Sequence, residues 1–347
     1  MDRLSAHDRY VACLLAGAAG DALGGVVEFM TLAQIHRAFG PGGITQYSMD
    51  DDRIGRITDD TQMTLYTAAA VLDAEAAAPG SFERMEPNVG RELSSAYLHW
   101  LNSQGIATSV TLLGGRALRL RAIDALNHER APGTTCLNAL AARIGLEADP
   151  IQNDRKGCGG VMRVAPIGLL AAGLADAPRV AFVWGQRAAA ITHGHPTGYL
   201  AAGATAVIIA ELASGRSLHE AVATALTLLR STPGHEETTA ALEQALAAAM
   251  DGAPSARVLE SLGAGWVAEE ALAMAVYCAL VSSTLEAGIV LAANHSGDSD
   301  STAAVAGQFL GLLYGLESVP SRWLDALECR STITDLALQL AEVVAAR

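Results

Sequence analysis

Apolar residues recur at spacings of three and four along most of the 347-residue chain, whereas strict alternation of apolar and polar residues is nearly absent. The first spacing places apolar side chains on one face of an α-helix, and alternation would be needed for half-buried strands. The sequence therefore predicts an all-α fold. Ser5 and Asp8 resemble a capping arrangement that opens a first helix ending near Ala18. Further helical patterns cover 61–78, 91–102, 164–175, 179–191, 197–214, 217–230, 236–250, 267–285, 302–316 and 332–346.

No linker separates these helical patterns, because the segments that contain proline and glycine are all short. Length alone would favour two domains. We nevertheless predict one compact domain over residues 1–347, since two distant acidic clusters around Asp60 and Asp300 must be brought together by everything between them. Hydrophobic residues make up 51% of the chain but aromatic residues only 5%, so we expect a tight core of small side chains.

One predicted helix carries a stripe of small residues. Ala303, Gly307, Gly311 and Gly315 recur every four positions. Glycine inside a helix costs about 1 kcal/mol relative to alanine, so three glycines at this spacing need a packing reason. We expect another helix to approach this face closely.

The chain has a formal net charge of −14, from 23 basic and 37 acidic residues, which argues against binding to DNA or RNA. The amino terminus lacks the pattern of a signal peptide. The most apolar stretches, 199–213 and 271–293, are too short or contain Glu286, so no transmembrane helix is expected. The cysteines show neither paired nor zinc-binding spacing, which is typical of free thiols in the cytoplasm. They are Cys13, Cys136, Cys158, Cys278 and Cys329.

Two acidic clusters, Thr58-Asp59-Asp60-Thr61 and Ser296-Gly297-Asp298-Ser299-Asp300-Ser301, each precede a helical pattern. One interpretation is a pair of helix caps, with Asp60 accepting from helix amides. Caps do not explain why carboxylates flanked by hydroxyls recur at two helix starts. If the helix starts converge, their oxygen atoms suit magnesium, manganese or calcium, and two such ions would activate water for hydrolysis. The predicted ligands are Thr58, Asp59, Asp60, Asp298, Asp300 and Ser301.

Two further motifs have weaker signals. A loop over 156–163 contains Gly157, Gly159 and Gly160, and its backbone amides can face an anion such as phosphate. A tight turn is the competing interpretation, because the loop is neither a Walker A sequence nor a GxGxxG after a strand. His193 and His195 suggest zinc, but no cysteine or third histidine accompanies them. Histidines that close one helix before the next begins are therefore the favoured interpretation.

Together these motifs resemble those of the ADP-ribosylglycohydrolases, which include the dinitrogenase reductase-activating glycohydrolase and the ADP-ribosylarginine and ADP-ribosylserine hydrolases. The resemblance implies an orthogonal helical bundle that holds two magnesium or manganese ions between the acidic clusters. It implies that Glu28 is catalytic together with Asp59, Asp60 and Asp300, because Glu28 matches a residue that in the family gates the cleft and acts in proton transfer or in substrate positioning. The segments that carry the resemblance are 17–28, 58–61, 157–166, 192–196, 265–272 and 294–307.

The resemblance also implies a substrate surface. The glycine loop would wrap the pyrophosphate of ADP-ribose, with Cys158 where relatives often have asparagine and with Arg163 bracing the loop. His193 would lie near the phosphates or the distal ribose, and Trp266 would lie on the adenine side. The second acidic cluster has serines where relatives often have threonines, which keeps a hydroxyl ligand. The implied substrate-binding residues are Gly157, Cys158, Gly159, Gly160, His193, Trp266, Ser296 and Gly297.

The implied function is hydrolysis of the bond between ADP-ribose and a modified protein side chain, with arginine as the first choice. Serine-linked and O-acetyl-ADP-ribose are alternative substrates, and a silent ADP-ribose-binding protein or an unrelated two-metal phosphohydrolase are alternative functions. The expected partner is an ADP-ribosylated protein or a small adduct, bound by a cytoplasmic monomer. Loops 41–55 and 98–116 are expected at the cleft edge. The run Asp50-Asp51-Asp52 on the first loop would attract a guanidinium, and a solvated acidic loop is an equally good interpretation.

Overall fold

A computed structural model describes residues 5–47, 54–147, 150–250 and 252–347. The all-α prediction is confirmed, because these residues form seventeen α-helices, three short 3-10 turns and no strand beyond two isolated bridges, Gly55 with Leu327 and Gly157 with Val267. The helices are α1 Ala6–Gly24, α2 Leu32–Phe39, α3 Asp59–Ala77, α4 Phe82–Ser103, α5 Arg116–Leu120, α6 Thr134–Ala141, α7 Ala165–Ala171, α8 Ala177–Ala190, α9 Pro196–Ala213, α10 Leu218–Arg230, α11 Glu236–Ala249, α12 Ala256–Ser261, α13 Ala268–Val281, α14 Leu285–Ala293, α15 Ser299–Tyr314, α16 Ser321–Ala326 and α17 Arg330–Ala345. The 3-10 turns are Asp124–Leu126, Cys158–Gly160 and Leu316–Ser318.

The first helix is the central element of the fold. Every residue of α1 from Tyr10 to Gly24 is buried, and the helix packs against α15 and α17 near the other end of the chain. Since helices from both ends of the chain share one core, the single-domain prediction is retained. The five cysteines are free thiols, as predicted.

The packing of α1 on α15 uses the predicted small-residue stripe. A methyl group added at Gly307 would lie 2.7 Å from the carbonyl carbon of Ala16, and one at Gly311 would lie 2.6 Å from that of Ala12. The backbones of the two helices therefore touch directly, which only glycine permits. Gly315 does not extend this contact, because it ends α15 with φ +79°, a left-handed conformation that favours glycine.

Replacing Gly307 by alanine is expected to lower the free energy of unfolding by about 1–3 kcal/mol or more, because the new methyl group meets backbone that cannot move aside. Gly114→Ala is the matched control, since a methyl group there would have open space around it. Thermal and urea unfolding would compare the two variants with the parent chain. Equal stability of both variants would show that α1 and α15 are not in backbone contact.

One helix of the described chain, α9, is long and apolar enough to cross a membrane by length and composition alone. It has a mean hydropathy of 1.3, but 78% of it is buried inside the protein by neighbouring helices. The core helix of a globular fold meets the same criterion, so the helix is weak evidence for a membrane span.

Candidate active site

The structure brings the two acidic clusters together at one cleft. The amino-terminal ends of α3 and α15 both border this cleft, which has a volume of about 390 Å³. Most of the residues predicted for catalysis and substrate binding lie there. Those that line the cleft are Glu28, Asp59, Asp60, Gly157, Cys158, Gly159, His193, Trp266, Asp298, Asp300 and Ser301.

The end of α1 lies between the two clusters and sets how closely they approach. A methyl group at Gly24 would lie 2.5 Å from Asp300 Cα, and one at Gly25 would lie 2.7 Å from Thr58 Cγ2. The absence of side chains at these two positions lets both clusters pack against the same turn of backbone. The Thr58 side chain also hydrogen-bonds to the Asp300 carboxylate, so the clusters are joined directly.

Asp21, a buried residue of α1 that no sequence pattern singled out, supports the first cluster from below. Its carboxylate accepts from the Thr58 N–H and the Thr61 N–H at 3.1 Å each, and the Thr61 hydroxyl also donates to it. Burial, followed by the charge of Asp300, raises the pKa of Asp21 to about 7. Asp21 therefore holds the turn from which α3 begins. Asp21 lies in the 17–28 segment that carries the family resemblance, but no role was predicted for it.

The helix caps differ from the predicted ones. Thr58, not Asp60, is the N-cap of α3, because its hydroxyl accepts from the Asp60 N–H at 3.2 Å. Asp298 caps α15 and accepts from the Ser301 N–H at 3.2 Å. The Asp60 carboxylate is thus free of a capping role, and its Oδ1 is buried without a hydrogen-bond partner among the described residues. A buried carboxylate oxygen without a donor is costly and calls for a missing partner such as a cation.

Burial raises the pKa of the cleft carboxylates, and for all of them except Asp300 the charges of neighbouring carboxylates raise it further. The pKa values of Asp59, Asp60 and Asp298 lie well above the ordinary value of 3.8. The pKa of Glu28 rises to about 8 for the same reasons, with Asp300 as its strongest charged neighbour. The groups that act most strongly on these carboxylates are other carboxylates, so the cleft concentrates negative charge that a cation would neutralise.

The donor chemistry fits a hard divalent cation. Carboxylate and hydroxyl oxygens from both clusters are the ligands that magnesium and manganese prefer. Within the described ranges, however, no three His, Cys, Asp or Glu side chains already stand together as a metal site. The donor types and the unpartnered Asp60 oxygen support a cation here, whereas a preformed coordination shell is not seen.

The glycine loop reaches the second cluster through Cys158. Its Sγ lies 2.7 Å from Asp298 Oδ2 and 3.6 Å from Ser301 Oγ. Burial raises the pKa of Cys158 well above its usual 9.0, so the thiol stays protonated and donates to Asp298. The Gly159 N–H has no hydrogen-bond acceptor in the part of the chain that the structure describes, which leaves it available to an anion. This chain therefore places a thiol against a predicted metal ligand.

Two aromatic rings stand at the mouth of the cleft. Trp266, predicted for the adenine side, is 42% exposed, and Phe29, which no sequence pattern singled out, is 78% exposed. The rings stack with their centroids 5.8 Å apart and an interplanar angle of 19°. Large aromatic surfaces exposed beside a polar cleft suit the flat face of a planar ligand.

The two histidines of the 192–196 motif have different positions. His193 is buried in the cleft wall beside the glycine loop. His195 is the N-cap of α9 and accepts from the Thr197 N–H at 3.2 Å through Nδ1. The interpretation of a histidine that stands between two helices therefore describes His195.

Three residues predicted to bind substrate lie outside the cleft lining. Ser296 Oγ accepts from the Leu32 N–H at 2.9 Å, the first amide of α2, and so faces another helix. Gly297 adopts φ +149° where a side chain would collide with the Ala264 carbonyl, and Gly160 packs against Ala189. These three residues therefore contact neighbouring parts of the chain around the cleft and do not face the space inside it.

The predicted cleft-edge loop 98–116 also differs from the structure. Residues 98–103 are the last part of α4, and no residue of 98–116 lines the cleft. Residues 131–136, for which the sequence analysis predicts no role, form that wall instead, and the Gly133 N–H donates to Asp59 Oδ2 at 3.2 Å. The run Asp50-Asp51-Asp52 lies outside the described residues.

A larger groove of about 780 Å³ lies next to the 193–194 segment, between α4, α8 and the 150–153 loop. Two of its three charged lining residues, Glu86 and Arg187, are paired with each other at 2.5 Å, and Glu86 also accepts from the Trp184 ring N–H. The groove contains neither acidic cluster, so we assign the chemistry to the smaller cleft.

Comparison with known proteins identifies the family of the chain. The family model described as ADP-ribosylglycohydrolase matches residues 2–347. The chain is 27% identical over 332 residues to the ADP-ribosyl-[dinitrogen reductase] glycohydrolase of Rhodospirillum rubrum, covering 94% of this chain and 92% of that protein. It is 50% identical over 52 residues, 15% of this chain and 14% of the other, to an ADP-ribosylarginine hydrolase of Serratia proteamaculans. A solved ADP-ribosylglycohydrolase-related protein complex has the same fold, with a TM-score of 0.61, 23% identity and coverage of 98% of this chain and 99% of that one. The chain therefore belongs to the ADP-ribosylglycohydrolase family.

Proposed function

We propose that this protein hydrolyses the bond between ADP-ribose and an arginine side chain of a modified protein, with divalent cations held between the two acidic clusters. The observation that carries the proposal is the convergence of buried carboxylates beside the glycine loop in one cleft. A structural role alone does not explain buried carboxylates that mainly repel one another.

The residues that would hold magnesium or manganese come from both helix starts. When bound, such ions polarise the ribose hydroxyls and lower the pKa of a water molecule. The hydroxyls of Thr58 and Ser301 complete an all-oxygen donor set. The proposed ligands are Thr58, Asp59, Asp60, Asp298, Asp300 and Ser301.

The side chains of the cleft account for proton transfer and for charge in the transition state. Burial raises the pKa of Glu28, which favours its protonated form, and from its place in the cleft Glu28 can donate a proton to the leaving nitrogen of the guanidinium. Asp59, Asp60 and Asp300 face the same space. Their negative charge favours the positive charge that develops on the ribose when the glycosidic bond breaks.

Arginine is the proposed linkage because one relative, matched over nearly its full length, is named an ADP-ribosyl-[dinitrogen reductase] glycohydrolase, and another, matched over 52 residues only, is named an ADP-ribosylarginine hydrolase. A cleft that concentrates negative charge also suits a cationic leaving group. Serine-linked and O-acetyl-ADP-ribose remain the alternative substrates. Monomeric state and cytoplasmic location remain predictions from the sequence.

The test is to incubate the protein with arginine-linked and serine-linked ADP-ribosylated peptides, with magnesium or with a chelator, and to identify the products by mass. Intact ADP-ribose released from the arginine peptide only when magnesium is present is the expected result. Release from the serine peptide alone would reassign the linkage. Tight binding of ADP-ribose without release from either peptide would indicate a silent binding protein, and release of phosphate or AMP would indicate a phosphohydrolase.

Replacing Trp266 by alanine is expected to raise KM for the ADP-ribosylated peptide about tenfold and to leave kcat within about twofold, because stacking on a base is worth about 1–3 kcal/mol. Steady-state kinetics and calorimetry with free ADP-ribose would measure both effects. Phe39→Ala is the control, since Phe39 is also an exposed ring but lies outside the cleft lining. A fall in kcat with unchanged KM would exclude a role of Trp266 in binding.

A further inference from the structure

His193 presents one edge of its ring to the cleft and the other edge to the protein interior. The residue is 1% exposed, yet it lines the cleft. Its Nε2 faces the glycine loop, where a methyl group added at Gly157 would lie 3.4 Å from it and one at Gly159 would lie 3.5 Å from it. Nε2 has no hydrogen-bond partner among the described residues, so it is open to whatever occupies the cleft.

The inner edge of the ring is held by a short chain of hydrogen bonds. His193 Nδ1 lies 2.8 Å from Thr192 Oγ1, and Arg163 Nη2 donates to the same hydroxyl at 2.7 Å. A guanidinium only donates and stays charged at all relevant pH values. Thr192 Oγ1 therefore accepts from Arg163 and has one proton to give.

That proton has two acceptors within reach, and only one of them has capacity left. Thr192 Oγ1 lies 2.8 Å from His193 Nδ1 but 3.3 Å from the Ala189 carbonyl oxygen. The Ala189 oxygen already accepts from the His193 N–H at 2.9 Å and the Thr192 N–H at 3.0 Å, which uses both of its lone pairs. The hydroxyl therefore donates to Nδ1, and the ring proton of His193 is on Nε2.

The surroundings also keep the ring neutral. Burial, assisted by the nearby Arg163 charge, lowers the pKa of His193 to about 3. Arg163 itself is fully buried, donates to the Ala188 carbonyl oxygen at 2.9 Å and lies 4.3 Å above the centre of the Tyr97 ring. Because this guanidinium is held in place and can only donate, the hydrogen bonds run from Arg163 to the Thr192 hydroxyl and from that hydroxyl to His193.

We propose that Arg163 and Thr192 are positioning residues that hold His193 as the neutral Nε2–H tautomer, so that it donates a hydrogen bond to a phosphoryl oxygen of the substrate beside the glycine loop. The identity of the acceptor rests on the proposed function, whereas the tautomer follows from the hydrogen bonds alone. A protonated Nε2 has no lone pair for a cation, so His193 is a ligand for the anion and not for the metal.

The tautomer can be read directly by long-range proton–nitrogen spectra of the folded protein with ¹⁵N-labelled histidine. The chain has 9 histidines, and a His193→Gln spectrum identifies the signals of interest. Nδ1 is expected to resonate as an unprotonated nitrogen and Nε2 as a protonated one at neutral pH. The opposite assignment in the parent protein would overturn the proposal without recourse to any variant.

Two variants of Thr192 test the role of its hydroxyl. Thr192→Val keeps the shape but removes the donor, so we expect signals of mixed tautomers and about tenfold weaker binding of ADP-ribose, the effect of losing one directed hydrogen bond. Thr192→Ser keeps the hydroxyl and should restore both the spectrum and the affinity. A valine variant with the parent spectrum would overturn the positioning role.

The acceptor is tested separately by titrating the labelled parent protein with ADP-ribose. A shift of the His193 Nε2 signal is expected, and its absence at saturation would overturn the phosphoryl assignment. Both readouts are independent of hydrolysis, so a protein that cleaves no peptide could still show the tautomer. Failure of the proposed function and failure of this inference are therefore distinguishable.

Discussion

Replacing Asp60 by asparagine is expected to abolish magnesium-dependent hydrolysis, by about 10³-fold or more, and to raise the thermal midpoint of the metal-free protein. The loss follows because Asp60 is a proposed metal ligand. The higher thermal midpoint is expected because the ionised form of Asp60 destabilises the folded protein. Burial raises the pKa of Asp60, and the charges of four neighbouring carboxylates raise it further: Asp300, Asp21, Asp59 and Asp298. Asparagine has nearly the same shape without the charge. The rise should be at least about 2 °C, since about 1 kcal/mol shifts the midpoint of a large domain by that much.

Thermal unfolding in a chelator and calorimetric titration with magnesium would measure the two effects on one preparation. Asp335→Asn is the matched control, because that residue is exposed on α17 and far from the cleft lining. A less stable Asp60→Asn protein in the chelator would mean that the Asp60 carboxylate has a stabilising partner in the folded protein, which would contradict the prediction. Full activity of the variant would remove Asp60 from the proposed centre.

The stability of the metal-free protein is expected to fall as the pH rises from about 5 to about 8. The pKa of Asp21 rises from 3.8 to about 7 and that of Glu28 from 4.5 to about 8, both chiefly through burial. Between the unfolded and folded pKa the native state binds more protons than the unfolded chain. These two groups therefore stabilise the folded protein fully when the pH is below their unfolded pKa. Their contribution to the free energy of unfolding is lost as the pH rises through the folded pKa, by up to about 1.4 kcal/mol per pH unit for each proton.

Thermal midpoints in a chelator across this range would show the fall, and saturating magnesium should reduce it, because a cation and protons compete for the same carboxylates. The Asp60→Asn variant should show a weaker dependence, since it removes one of the interacting charges. A midpoint that stays constant or rises between pH 5 and 8 in the chelator would contradict the excess of buried negative charge.

The long helices could be predicted because each shows several turns of apolar periodicity. The predicted helices 197–214, 217–230 and 236–250 match α9, α10 and α11 to within about a residue at each end. The shortest helices, such as α5, α6 and α12, have too few turns to show a period and were not predicted. The pattern over 267–285 was predicted as one helix, but α13 ends at Val281 and Thr284 caps a new helix, α14.

The cleft was predictable where chemistry is concentrated in short motifs. The acidic clusters show themselves by residue type and spacing, whereas the glycine loop was joined to them in one site only by the resemblance to the ADP-ribosylglycohydrolases. Asp21 and Phe29 could not be found in this way, because a single residue forms no pattern. The wall at 131–136 contributes a backbone amide of Gly133, and the position of a backbone amide follows only from tertiary packing.

The contact of α1 with α15 has a consequence for the order of events during synthesis. Nearly all of α1 is buried, and much of the surface that covers it belongs to α15, which is synthesised long after α1. Contacts between such distant segments slow folding, because the intervening chain must be closed into a loop first. A nascent chain that stops before residue 296 carries only the first of the two acidic clusters and an uncovered apolar helix. We therefore expect hydrolytic competence to arise in a single late step, and incomplete chains to depend on chaperones until that step occurs.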